Sequence, residues 1–154
     1  IGLFTILLAK IQGALVEVAE QNAARLRFCI ENLGVSEAFA NAYSTVIDAT
    51  GNLAAIKSGF AKMAHGGKYV LIGLQKQPIS FSHPEFHKRE ATLMSSRNAT
   101  IEDFRYVMDL LRNGKIQAGM FISHRFGKNQ VLDIFTKINE PGAQVIKAMI
   151  TLAE

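Results

Sequence analysis

Apolar runs of strand length alternate with amphipathic helical stretches, and this order predicts an α/β fold built on a doubly wound parallel sheet. Three observations support it. Helix-period stripes recur along the chain, the strand-like runs between them are apolar at consecutive positions, and glycines stand where the helices should end. Continuous apolar runs are what strands covered on both faces require. The 154 residues, 49% hydrophobic and 19% charged, suffice for one domain with a sizeable core.

Leu3, Leu7 and Ile11, with Phe4 and Leu8 beside them, follow a helical period that Gly13 stops. Residues 14–20 then alternate and are β-rich around Val16 and Val18, after which Asn22 can cap a helix striped by Leu26, Cys29, Ile30 and Leu33. Gly34 ends that helix. Residues 46–49 read as a buried strand, followed by Thr50, Gly51 and Asn52 and by a helix with Leu53, Ile56, Phe60 and Met63 on one face. Gly66 and Gly67 are expected to close it. Residues 69–74 form a continuous strand-like run, a short alternating segment follows at 79–81, and Leu93 and Met94 begin another apolar piece. Thr100 caps a helix bearing Phe104, Val107, Met108 and Leu111, with Gly114 beyond its end. Val131, Ile134, Phe135 and Ile138 mark the last helix, and residues 145–152 the last strand.

Two places in this order look incomplete. Parallel strands need a crossover of roughly a dozen residues, yet a strand-like stretch at 35–39 would reach the strand at 46 through only residues 40–45. Either 35–39 is a loop or a crossover helix near residues 40–44 is missing through deletion or disorder; the second reading is preferred. The other place is the start. Ile1 opens a helix already in progress, without a charged leader, so an upstream segment is expected to supply the first strand at the centre of the sheet.

Composition limits the partners. The longest apolar run is far short of the roughly 20 residues that cross a bilayer, and Lys10 interrupts the first stretch. The net charge of +4 is spread out, concentrated only at His87, Lys88 and Arg89, so neither a membrane nor a nucleic acid is an expected partner. Cys29 is the only cysteine and occupies an inward helical position, which suits a reducing cytoplasm.

Dinucleotide folds set a glycine-rich turn against a helix N-terminus, where outward amides receive a pyrophosphate. Ile1 and Gly2 are all that this chain could retain of such a turn. Glu20 follows 18 residues after Gly2, close to the spacing of an acid that accepts hydrogen bonds from adenosine ribose hydroxyls. A carboxylate there favours NAD, because it repels a 2′-phosphate and Gln21 beside it offers no balancing positive charge. The alternative is a solvated glutamate at a strand end. Gly51 and Gly73 should open onto the same carboxyl edge, where their backbone could reach a cofactor or simply serve turn geometry. Of His65, His83, His87 and His124, only His83 and His87 have i, i+4 spacing, and Pro84 between them argues against a regular helix. No metal site is expected within the chain. No nucleophile turn of a Ser-His-Asp arrangement is present either.

The stretch Ser80-Phe81-Ser82-His83-Pro84-Glu85-Phe86-His87-Lys88-Arg89-Glu90, continued by Thr92-Leu93-Met94-Ser95-Ser96-Arg97-Asn98-Ala99-Thr100, resembles the zinc-containing medium-chain alcohol dehydrogenases, in their bacterial polyol or sugar-acid branch. Val46-Ile47-Asp48-Ala49-Thr50-Gly51-Asn52 and Val145-Ile146-Lys147-Ala148 add to it. The resemblance covers most of the chain and implies a Rossmann-like dinucleotide-binding domain over 1–154. It implies that Ile1 and Gly2 end the glycine turn, that Glu20 binds ribose and that Arg25 lies near the adenosine. Ala49 and Thr50 would flank the adenine and nicotinamide ribose, Gly73, Leu74, Ser95 and Ser96 would offer backbone to the nicotinamide end, and Arg97 and Lys147 would lie near the cofactor phosphates or substrate. The catalytic zinc would sit in an upstream domain, so this chain alone should be inactive, and a small-molecule alcohol would be the substrate. The resemblance also implies a homodimer or tetramer through an edge at 79–81. Two rivals stand beside this reading: an NAD-sensing regulatory module without catalysis, and a methyltransferase, which also carries an acid at its second strand end.

Overall fold

The computed structural model describes residues 1–39, 42–138, 140 and 142–152. The chain divides into two units, Ile1–Asn98 and Ala99–Glu154.

The first unit begins with helix α1 (Gly2–Ile11), short strand β1 (Glu17–Val18), helix α2 (Ala23–Leu33) and strand β2 (Ser36–Glu37). Asn22 caps α2 by accepting the Arg25 N–H at 3.0 Å. Gly34 ends it in the left-handed conformation at φ 57°, which a residue without Cβ adopts at little cost. The Lys10 ammonium, reaching over from α1, donates to the last carbonyls of α2 at Leu33 and Gly34, groups that a helix end leaves open. β1 and β2 pair in parallel through the α2 crossover, so residues 36–37 are strand and not loop.

The larger sheet holds β3 (Tyr43–Asp48), β4 (Met63–Leu71) and β5 (Thr92–Ser95) in parallel, with β4 at the centre. Among the described residues no strand pairing joins it to β1–β2. The sheet is therefore interrupted between β1 and β3, where a central strand is expected. The Tyr43 hydroxyl donates to the Glu17 carboxylate there, a side-chain bridge in place of a backbone ladder. Of the crossover expected near 40–44, residues 40 and 41 lie outside the described residues, while Tyr43 and Ser44 belong to β3.

Helix α3 (Leu53–Phe60) covers one face of this sheet. Ile56, Met63 and Tyr69 are wholly buried together, with Val46, Phe60, Leu71, Ile79, Phe86 and Ala91 packed around them. Phe60 meets Tyr69 edge-on at 4.9 Å and stacks on Phe81 at 4.7 Å. The Tyr69 hydroxyl donates to the Ile56 carbonyl at 2.9 Å. Burial first, and the Asp48 charge second, push its pKa above the ordinary phenol value.

Four local expectations are corrected. Helix α3 stops at Phe60 and does not run to Gly66 and Gly67, because Met63 pairs with Tyr43 as the first residue of β4. The glycines instead serve a bulge: the register shifts after Tyr43, Gly66 takes φ 68°, and a Cβ on Gly67 would lie 2.8 Å from the Ala64 carbonyl oxygen. Second, β4 ends at Leu71, so Ile72, Gly73 and Leu74 form a turn beyond the strand. Third, His83–Lys88 is a helix, α4, with Pro84 in its first turn, where the missing N–H costs nothing. Fourth, residues 79–81 form no strand; Ile79 packs against the core, and Phe81 stacks on Phe60 while staying exposed.

The second unit holds α5 (Ile101–Arg112), a 3-10 turn at Ala118–Phe121, and parallel strands β6 (His124–Gly127) and β7 (Ala148–Thr151) around α6 (Val131–Lys137). Thr100 and Asp103 form a reciprocal capping box at the start of α5. Thr100→Ala is therefore expected to lower stability by about 1 kcal/mol, read as a reduced Tm of the full chain. The Thr100 N–H and hydroxyl, in that order, hold the Asp103 carboxyl below its ordinary value. A lowered carboxyl pKa contributes stability that is present above the unfolded value and lost as pH falls through the folded one, so the box opens in acid.

Candidate functional site

The carboxyl ends of β3, β4 and β5 lie side by side, and the segments leaving them build one polar rim. Asp48, the last residue of β3, is 6% exposed, and its carboxylate ties the following turn down. It accepts the Thr50 N–H at 3.1 Å, the Gly51 N–H at 2.9 Å and the Thr50 hydroxyl at 2.8 Å. Its carbonyl accepts the Ile72 and Gly73 N–H groups at 2.8 and 3.1 Å, so the turns after β3 and β4 hang from the same residue.

These turns then touch backbone to backbone. A methyl group on Gly73 would lie 2.1 Å from the Gly51 nitrogen, and one on Gly51 would lie 2.6 Å from the Leu74 carbonyl oxygen. Gly51 also takes φ 64°, a region that disfavours any Cβ. The approach is locked by Gln75, whose amide donates to the Gly51 carbonyl at 2.9 Å. Asn52 closes the turn by accepting the Ala54 and Ala55 N–H groups at the start of α3. An open hollow of about 500 Å³ lies beside this junction, bordered by Gly51, Asn52, Lys57 and Gln75.

The expected site residues fall into groups. Gly2, at the first turn of α1, stands over Ala49: a Cβ there would meet the Ala49 methyl at 3.7 Å. The free amides of a helix start are thus set at the end of β3; the Ile1 carbonyl accepts from Phe4 and Thr5. Thr50, Gly51, Gly73 and Leu74 form the junction just described. Ser95 ends β5, and the Ser96 N–H donates to the Leu71 carbonyl at 3.0 Å, joining that end to β4; Arg97 follows, exposed. Glu20, Gln21 and Arg25 cluster at the turn from β1 into α2. One oxygen of the half-buried Glu20 accepts the Asn22 N–H at 2.9 Å, and among the described residues the other makes no hydrogen bond. Glu20 is also close enough to α2 to raise the Cys29 thiol pKa, an effect second to burial and opposed by a backbone hydrogen bond. Lys147 belongs to the second unit, where its carbonyl accepts the N–H groups of Ser123 and His124.

Asp48, Asn52 and Gln75 were not among the residues expected in the site. Asp48 had a readable signal, since an aspartate two residues before a Thr-Gly pair commonly accepts the N–H groups ahead of it. Gln75 had none. Among the described residues no three His, Cys, Asp or Glu side chains converge as a metal-ligating group, and no helix is long and apolar enough to cross a membrane.

A family profile described as zinc-binding dehydrogenase matches residues 1–113. L-galactonate-5-dehydrogenase of Escherichia coli (strain K12) is 37% identical over 166 aligned positions, covering 98% of this chain and 49% of that protein. D-xylulose reductase of Scheffersomyces stipitis is 25% identical over 118 positions, covering 71% of this chain and 32% of its own length. The chain thus spans about half or less of the curated relatives it matches. The alignment to the first is longer than the 154-residue chain, so that relative carries residues this sequence lacks. Among solved structures, a short-chain alcohol dehydrogenase from E. coli CFT073 complexed with NADH shares the fold at TM-score 0.86 and 22% identity, over 98% of this chain and 49% of its own. A zinc-binding dehydrogenase from Sinorhizobium meliloti 1021 bound to NADP shares it at 0.85 and 21%, over 99% and 49%.

Proposed function

This chain belongs to the zinc-binding dehydrogenase family, and on that premise we propose that it is the NAD-binding half of an oxidoreductase acting on a secondary alcohol of a polyol or sugar acid. The observation that carries the reading is the junction of Gly51 and Gly73 at the carboxyl edge, with the start of α1 at the end of β3 beside it. Ligands in open α/β sheets bind at that edge. The two glycines let the turns after β3 and β4 close on each other and so build one wall of that edge, and the start of α1 offers amides where a pyrophosphate would lie. The open oxygen of Glu20 suits a ribose hydroxyl and would repel a 2′-phosphate, which favours NAD over NADP.

When bound, the dinucleotide supplies the hydride acceptor. The task of this chain is positioning: the Asp48-tied turns fix one wall of the cleft, and their rigidity holds a reacting face in one orientation. The family's zinc, and the strand expected between β1 and β3, would lie in a segment outside this chain, and the working protein in the cytoplasm. Copies would pair, as a dimer or tetramer, through residues 79–81, which would have to straighten into an edge strand.

The test is a titration of NADH into the full-length protein, followed by nicotinamide fluorescence. Charge-assisted hydrogen bonds are worth about 1.5–3 kcal/mol, so Glu20→Ala should weaken NADH binding by about ten-fold or more. Unchanged affinity in that variant, or a preference for NADPH in the parent, would remove the reading of Glu20. Saturable binding of S-adenosylmethionine would favour a methyltransferase. Tight NAD binding with no turnover of any polyol would favour a sensing module.

A further inference from the structure

We propose that His83 and His87 form a two-imidazole chelate for a borderline divalent transition-metal ion such as Ni2+, Cu2+ or Zn2+. Both lie on α4, one turn apart on the same face, and both are exposed. Their ring centroids are 5.8 Å apart with planes inclined by 58°. Neither imidazole ring makes a hydrogen bond among the described residues, so both rings keep lone pairs to offer; the His87 backbone carbonyl accepts the Glu90 N–H at 2.9 Å. With metal–nitrogen bonds of about 2.0–2.1 Å, an ion shared by two rings at this spacing would subtend an angle on the order of 130°, and a small χ rotation closes it to tetrahedral. Imidazole pairs at i, i+4 on one helical face are a recurrent ligand pair for such ions.

The surroundings hold the pair in place. Pro84 fixes the backbone of the first turn, directly after His83. Phe86, between the two histidines in sequence, packs against Phe81 at 5.0 Å and Phe60 at 6.2 Å, pinning α4 to the core. Arg89 is engaged by Glu85 at 2.8 Å; Lys88, the helix N-terminus, and Lys57, which borders a hollow together with Glu85 and Phe86, are positive charges that oppose a cation. Two protein ligands leave positions open for water or for a donor from another molecule.

Titration of the full chain with Ni2+ by calorimetry tests this, with His83→Ala, His87→Ala and the double variant in parallel and circular dichroism to confirm folding. A chelate is lost as a unit, so each single variant should bind at least about ten-fold more weakly and no better than the double variant. A variant lacking His65 and His124 should bind like the parent. Single variants that keep near-parent affinity, or a double variant equal to the parent, would overturn the proposal.

Discussion

Gly73→Ala is expected to be among the most damaging single substitutions in the first unit. The added methyl would lie 2.1 Å from the Gly51 nitrogen, 2.8 Å from its Cα and 2.9 Å from the Thr50 carbonyl carbon. All three are backbone atoms, held by the Asp48 carboxylate on one side and the Gln75 amide on the other. An overpacked core with yielding side chains costs about 1–3 kcal/mol. Here no rotamer can give way, so a loss of at least about 3 kcal/mol is expected, with a fall in Tm on the order of 10 °C. NADH binding should fall with it, because the turns that part form the cleft wall. A Gly73→Ala protein with parental Tm and NADH affinity would show that the two turns do not touch as described.

The second large effect is expected at Asp48. Alanine there removes the acceptor for two backbone N–H groups and one hydroxyl at a position 6% exposed. Hydrogen bonds to a charged partner are worth about 1.5–3 kcal/mol each and are not additive, so about 3 kcal/mol is expected for Asp48→Ala in urea unfolding. Asp48→Asn keeps an oxygen of the same shape and should cost much less. It has a second readout. Asp48 is one of two causes raising the Tyr69 phenol, the other and larger being burial. Removing the negative charge should therefore lower that pKa while leaving it above the ordinary value, visible in a spectrophotometric tyrosine titration. A Tyr69 titration that does not move in Asp48→Asn would place the two groups further apart than the structure has them.

The success of the local reading varied with the kind of signal. Asn22, Asn52 and Thr100 each sit before an apolar stripe, and each caps the helix that follows, because a cap is satisfied by amides two or three residues away. Pro84 misled for a related reason: proline breaks a helix interior but suits its first turn, and which applies depends on where the helix starts. Gly66 and Gly67 resemble a helix end in sequence, and only the pairing of Met63 with Tyr43 turns them into a bulge. β6 escaped notice because His124-Arg125-Phe126-Gly127 has a single apolar side chain, and its pairing with β7 comes from a segment more than twenty residues away.

The sequence by itself determined the α/β order, the ends of most helices and, through the stretch at 80–100, the resemblance to a dehydrogenase family, since these rest on periodicity, capping and contiguous residues. Tertiary structure alone decided that Gly51 and Gly73 meet, that Asp48 is buried beneath both turns, and that Gly2 stands over Ala49. Contacts of that kind join residues far apart in the chain. Their energy is set by the close packing of specific atoms across space, which no local pattern of residue types encodes.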